Sequence, residues 1–226
     1  MTTGPITPLT PLQPASPGRP LADLRGPAAV SVFFAGLVTL IQLAEVVLAL
    51  VMTGNAPGMG LPTSLVGLFT AFDLLGVLML LALVGGYVGT CLWMYRAHER
   101  AESLAAGPRA RRRGWAWAGW LVPVVCLWFP FQVVRDASLD PVRSGSRPAV
   151  RGWWWASLLA FALSERIAAG VYASPSPATA IEWLAPTEAV SAAFACAAFV
   201  LWTRVVRTTT RDHEAAAARW GGVRAA

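Results

Sequence analysis

Lysine is absent from this chain of 226 residues, and histidine occurs only twice. Charged residues of all kinds make up 13% of the sequence, about half the share of a soluble globular domain. The three cysteines, Cys91, Cys126 and Cys196, sit in apolar segments without paired spacing, so neither a disulfide framework nor a zinc site follows. The histidines, His98 and His213, are flanked by charge and read as surface residues rather than ligands or bases. No phosphate loop, dinucleotide fingerprint or nucleophile elbow is present. These gaps argue against an enzyme; no cofactor and no metal are implied.

What remains is apolar. Hydrophobic residues make up 56% of the chain, and a bilayer core of about 30 Å needs about 20 of them in helical succession. Five stretches qualify for inspection. Residues 28–52 are broken only by Gln42 and Glu45, and residues 65–94 only by Asp73. Residues 115–134 contain Pro123 and Pro130, residues 153–172 contain Glu165 and Arg166, and residues 181–206 contain Glu182, Glu188 and Arg204. The first stretch starts behind a proline-rich tail and is longer than a signal core, so it reads as a retained helix.

The 18 arginines orient these stretches, because cytoplasmic loops are enriched in basic residues. If all five crossed with the N-terminus inside, the loops and tails would carry 8 arginines inside and 9 outside, no bias at all. If 115–134 enters and leaves on one side, 17 arginines lie inside, Arg204 at the inner end of its stretch among them, and only Arg166 is left over. The second arrangement wins. Proline removes a backbone donor and clashes with the preceding turn, so Pro123 and Pro130 break 115–134 into short pieces. Broken backbone at membrane depth survives only where protein or a wet cavity shields it. The expectation is an all-α polytopic membrane bundle of four transmembrane helices. Between the second and third lies a proline-broken re-entrant or interfacial hairpin. Residues 1–27 form a disordered cytoplasmic tail, 28–206 the transmembrane domain and 207–226 a second cytoplasmic tail. The location is the cell membrane, inner or plasma, with both termini cytoplasmic. Trp93, Trp115, Trp117, Trp153, Trp154, Trp155 and Trp202 then fall at the inner boundary, where aromatic rings anchor.

Prolines at 5, 8, 11, 14, 17 and 20 keep a period of three, which stacks their rings on one side of a polyproline II rod. Residues 14–19, PASPGR, have the form of a polyproline ligand, although a low-complexity tail accounts for the same composition. Gly107 and Pro108 end a second helix that runs past the membrane to about residue 106. Residues 207–219 fit a short surface helix. Gly85-x-x-x-Gly89 and the SAAFACAA run from Ser191 read as close helix packing.

WMYRA at 93–97, GWLVP at 119–123, PFQVVRDAS at 130–138 and the Trp153–Trp154 pair form an ordered series. The series resembles the actinobacterial integral membrane family catalogued as domain of unknown function 4328. There a W-x-Y-R-A helix end precedes a G-W-x-x-P…P-x-Q-V-V-x-E stretch and a double tryptophan opening the next helix. The resemblance covers about residues 28–212. Arg100 and Cys126 stand where the family usually has asparagine. The resemblance implies architecture and supplies no chemistry.

Two sets of side chains stand out. Glu45, Asp73, Glu165, Arg166 and Glu188 fall within the spans at one level, about 10 Å below the outer surface at 1.5 Å per residue. Charges there are costly and face a partner or a wet cavity. They form a candidate polar cavity for a proton, a cation or a cationic solute, or else a structural ion pair of Arg166 with Glu45 or Asp73. The second set is Arg96, Arg109, Arg111, Arg112, Arg113, Trp115, Trp117, Pro123, Pro130, Trp153 and Trp154. Guanidinium groups fork onto phosphates and basic loops attract anionic lipid, so this set is a candidate lipid-headgroup or partner face. The expected partners are the bilayer, with anionic lipid at the cytoplasmic face, and a membrane or cytoplasmic protein. The basic residues border spans and need no nucleic acid to explain them. The leading expectation is a non-enzymatic membrane interaction or scaffold protein. The alternative is a small transporter, channel subunit or solute-binding membrane protein that uses the acidic set.

Overall fold

The structure, a computed structural model, describes residues 21–55, 62–104, 112–139 and 147–225. Within them the chain is helical and has no strand. Its helices are α1 (Arg25–Asn55), α2 (Pro62–Leu104), α3 (Trp115–Leu121), α4 (Phe129–Asp136), α5 (Arg147–Tyr172) and α6 (Pro177–Ala225), with a 3-10 turn at Val125–Leu127. The proline rod, Gly107, Pro108, Arg109, Arg111, Arg143 and Ser144 lie outside the described residues.

Three helical stretches are long and apolar enough to cross a membrane: Arg25–Gly54, Thr70–Leu104 and Ala178–Arg219. The 26-residue α5 is not among them, because Arg151, Glu165 and Arg166 dilute its apolar run. Helix α6 continues through 207–219 instead of giving way to a separate surface helix. The reason is local: no glycine or proline interrupts 187–220, and the alanines at 215–218 are strong helix formers. Pro186 sits inside α6 and removes one backbone donor near its start.

The long helices pack in the order α2, α1, α6, α5, neighbours running antiparallel. Ser31 of α1 shares a 2.7 Å hydrogen bond with Thr90 of α2. At one end of the bundle the Thr53 hydroxyl donates to the Ile181 carbonyl at 3.3 Å; at the other, Arg25 bridges to Glu214 at 2.5 Å. Glycine makes the α1–α2 approach possible. A Cβ on Gly89 would lie 2.9 Å from Val30 Cγ1 and 3.1 Å from the Ser31 backbone nitrogen, and one on Gly85 would run into the Phe34 ring. The small residues of α6 serve the same purpose: Ser191, Ala192, Ala195 and Ala198 are buried.

The tryptophans depart from the expected boundary belt. Trp93, Trp154, Trp155 and Trp202 are core residues, and Trp115, Trp117 and Trp120 pack against them. Trp154 stacks on Trp202 at 4.6 Å between ring centroids, and Trp93 meets Trp202 edge-on at 5.4 Å. Their N–H groups are satisfied internally, Trp202 by Ser31 Oγ at 3.0 Å, Trp93 by Thr210 Oγ1 at 3.2 Å and Trp155 by the Leu127 carbonyl at 2.8 Å. Large rings fill the space that serine, threonine and alanine leave on the facing helices. Only Trp153 of the triple is turned outward, 68% exposed, because each helical step rotates a side chain by about 100°.

Residues 115–136 fold back on themselves at this tryptophan end. Before α3, Arg113 reaches Glu99 at 2.9 Å and Glu102 at 2.5 Å on α2. After α4, the Ala137 carbonyl meets His213 of α6 at 2.9 Å, and Ala137 packs with Leu24 and Ala97. Both ends of the segment therefore lie together. Helix α3 lies along α2, the Tyr87 hydroxyl donating to the Trp117 carbonyl at 3.2 Å, and the turn after it sets the Leu127 carbonyl on Trp155. Pro123 follows the end of α3, and Pro130 occupies the first turn of α4, where a missing donor costs nothing. Val124 between them has φ 67° and ψ −50°, a strained γ-turn closed by the Val125 N–H on the Pro123 carbonyl at 2.7 Å.

The histidines also depart from expectation. His98 and His213 are buried rather than at the surface. Helices α2 and α6 run on beyond their apolar segments, and their extensions pack with residues 22–24 and the end of α4. In that second layer the His213 imidazole meets the Ala137 carbonyl.

Candidate functional site

Three carboxylates converge from three helices: Glu45 of α1, Glu165 of α5 and Glu188 of α6. Gln42 and Glu45 are three residues apart on α1, as are Glu188 and Ser191 on α6, so each pair shares one face. Glu45 is 7% exposed and Glu188 6%, while Gln42 and Ser191 are fully enclosed. Gln42 Nε2 donates to Glu188 Oε2 at 2.7 Å. The glutamates are close enough to act on one another electrostatically, and Ser191 lies beside Glu165. Among the described residues Gln42 Oε1 is shielded without a hydrogen-bond partner, and Glu165 and Ser191 have at most each other. Among the described residues no arginine bridges to these glutamates, and no group of three metal-ligating side chains could hold a metal ion.

Two members of the expected set lie apart from this cluster. Asp73 is on the exposed side of α2, where the Tyr172 hydroxyl donates to it at 2.8 Å. Arg166 is exposed on α5, rotated by one helical step from Glu165, and forms no ion pair with Glu45 or Asp73. Gln42 and Ser191 are the members that reading for charge alone passes over. The signal that finds them is spacing, since each sits three residues from a buried glutamate.

A cavity of about 290 Å³ lies between α1, α2, α3, α5 and α6. Trp120, Trp154 and Trp202 line it, with Phe34, Tyr87 and Phe161, and its polar atoms come from Ser31, Thr39 and Thr90. The glutamates do not line it directly. Thr39, Phe161 and Ala195, which do, precede or follow Gln42, Glu165 and Ser191 by one helical turn, about 5 Å. The indole N–H of Trp120 is buried there without an acceptor. The volume is near the lower end for small-molecule pockets.

Of the expected arginines, Arg96 and Arg113 are engaged within the fold, while Arg109 and Arg111 lie outside the described residues. Arg96 and Arg100 donate to the backbone carbonyls of Asp23 at 3.3 Å and Ala22 at 3.1 Å, tying the N-terminal segment to α2. Arg113 is held between Glu99 and Glu102, and the Glu102 hydrogen bond pushes its guanidinium above the ordinary arginine range. Trp154 and Pro130 are buried, and Trp115 and Trp117 are half-buried. Arg112, Pro123 and Trp153 are exposed.

Functionally curated proteins and solved structures returned no match. A family model did: the one described as Domain of unknown function (DUF4328) matches residues 68–211. The match starts inside α2 and ends inside α6, so it takes in Glu165 and Glu188 but leaves α1, with Gln42 and Glu45, outside. It includes the 93–97 helix end, the proline-framed fold-back and the Trp153–Trp154 pair, and the chain belongs to the DUF4328 family.

Proposed function

We propose that this chain is a four-span protein of the cell membrane whose buried carboxylates and aromatic cavity bind a small organic cation with an apolar body. Four features support the membrane arrangement. Helix α5 is about 39 Å long at 1.5 Å per residue, pairs antiparallel with α6, and exposes Leu163 and Ile167. The two ends of 115–136 lie together, as a re-entrant or interfacial hairpin requires. The N-terminal end of α1 and the C-terminal part of α6 share one end of the bundle. The arginines cluster at that same end, which makes it the cytoplasmic one.

One observation carries the ligand reading: Glu45, Glu165 and Glu188 meet inside the helices with no basic partner among the described residues. An isolated charge transferred into an apolar medium costs many kcal/mol, so buried carboxylates take up a proton or a counter-charge. The tryptophan wall alone is insufficient, because a desolvated cation–π contact contributes about 2 kcal/mol. Aromatic wall and carboxylates together suit a cation that is apolar elsewhere.

The test is equilibrium binding of tetraphenylphosphonium to the purified chain in lipid nanodiscs. Saturable binding that Glu165→Gln and Glu188→Gln each weaken at least tenfold, and that Glu182→Gln on the exposed side of α6 leaves unchanged, is the expected result. Unchanged binding in the two buried variants, with helical content intact, would overturn the reading. A non-enzymatic interaction role is the second reading, favoured by the exposed Arg112 and Trp153 at the arginine-rich end. Cross-linking in native membranes that yields a stoichiometric protein lost on Arg112→Gln would favour it.

A further inference from the structure

A second concavity, of about 550 Å³, lies between the start of α1 and the later part of α6 and shares no residue with the aromatic cavity. Arg25, Arg207 and Arg211 ring it, and Ala28, Val32 and Val206 contribute its apolar floor. Arg207 and Arg211 are four residues apart on α6, so their guanidinium groups rise from one face and repel each other. Both are exposed, and neither has an ion-pair partner among the described residues. Glu214, which also lines the concavity, is engaged by Arg25 at 2.5 Å.

We infer that this groove holds the phosphate of one anionic phospholipid, between Arg207 and Arg211, with an acyl chain along α1. The apolar run of α6 ends at Val206 and that of α1 begins just after Arg25, so the groove straddles the level where lipid headgroups meet hydrocarbon. Guanidinium groups fork onto phosphate oxygens and supply the countercharge that relieves their own repulsion. The apolar floor continues onto Phe33, which lines the same concavity and is 64% exposed on α1. That continuation selects a lipid over a soluble phosphate, which has no use for an apolar track.

The test uses the full chain in detergent, titrated with phosphatidylglycerol and phosphatidylcholine of identical chains and read by native mass spectrometry. One phosphatidylglycerol is retained in preference to phosphatidylcholine. The double substitution Arg207→Gln/Arg211→Gln lowers that preference at least fivefold, and Arg204→Gln, exposed on the same helix outside the groove, preserves it. Should the glutamine pair fail to fold, Phe33→Asn serves instead: it weakens retention of the lipid while every arginine stays in place. Glu188→Gln keeps the preference, which separates this site from the cation site. Equal loss in Arg204→Gln would mean diffuse charge, and displacement of the lipid by equimolar glycerol phosphate would mean a soluble-phosphate site. Either outcome, or full preference in the glutamine pair, overturns the inference.

Discussion

At the start of α1 one carboxylate serves two amides that would otherwise lack acceptors. Asp23 Oδ1 accepts from the Arg25 N–H at 3.0 Å and Oδ2 from the Gly26 N–H at 3.3 Å. The Arg25 amide first, then that of Gly26, holds the carboxyl below the ordinary aspartate range. A group whose folded value is depressed stabilises the fold above its unfolded value and loses that contribution as pH falls through the folded one. Amide-exchange protection in the first turn of α1 is therefore expected to fall as pH drops below about 4. Asp23→Asn, which still caps but does not titrate, should flatten that profile, with protection factors corrected for intrinsic exchange. A cap of this kind is legible from an aspartate ahead of an apolar run. The burial of His98 and His213 is not, because neighbouring charges describe only the local sequence. The contact made by His213 comes from Ala137, distant along the chain.

Helix pairing sets the next scale. Gly89 admits α1 to within contact of its backbone, whereas a Cβ on Gly86 would meet only Phe34 Cβ at an ordinary 3.6 Å. Gly89→Ala should accordingly cost about 1–3 kcal/mol through forced separation of α1 and α2. Gly86→Ala should change stability by less than about 0.5 kcal/mol, alanine being the better helix former. Unfolding of both variants in matched detergent micelles decides between them; equal losses would show that glycine content rather than close approach matters here. The Gly85–Gly89 spacing announced this contact, and Pro123 and Pro130 announced the break between α3 and α4. The continuity of α6 from Pro177 to Ala225 was less visible, since the arginines at 204, 207 and 211 look like the end of a span. They end an apolar run, but nothing in them ends a helix.

For the whole molecule, the one-sided arginine distribution and the alternating helix directions make the same demand. Under the proposed four-span arrangement the turn between α5 and α6 lies outside and the segment between α4 and α5 inside. In a background without the three native cysteines, Ser174→Cys should react with an impermeant thiol reagent added outside, and Ser144→Cys only after the membrane is opened. Outside labelling at Ser144 would require 115–134 to cross and would overturn the four-span arrangement.

Sequence alone determined which segments are apolar, where prolines and glycines interrupt or admit helices, and how arginine is distributed among the segments between them. Those properties are local: hydropathy, backbone donors and side-chain volume act on a residue whatever its partners. Burial of the tryptophans was beyond that reach, because a ring at a span boundary suits lipid headgroups and helix interfaces equally. A common depth suggested that the acidic set forms one cavity, but not which of its members meet. Depth follows from counting 1.5 Å per residue, whereas the face a residue presents to its neighbours depends on helix rotation and on which helices pack. Tertiary structure therefore decided that Glu45, Glu165 and Glu188 meet beside Gln42 and Ser191, while Asp73 and Arg166 turn away.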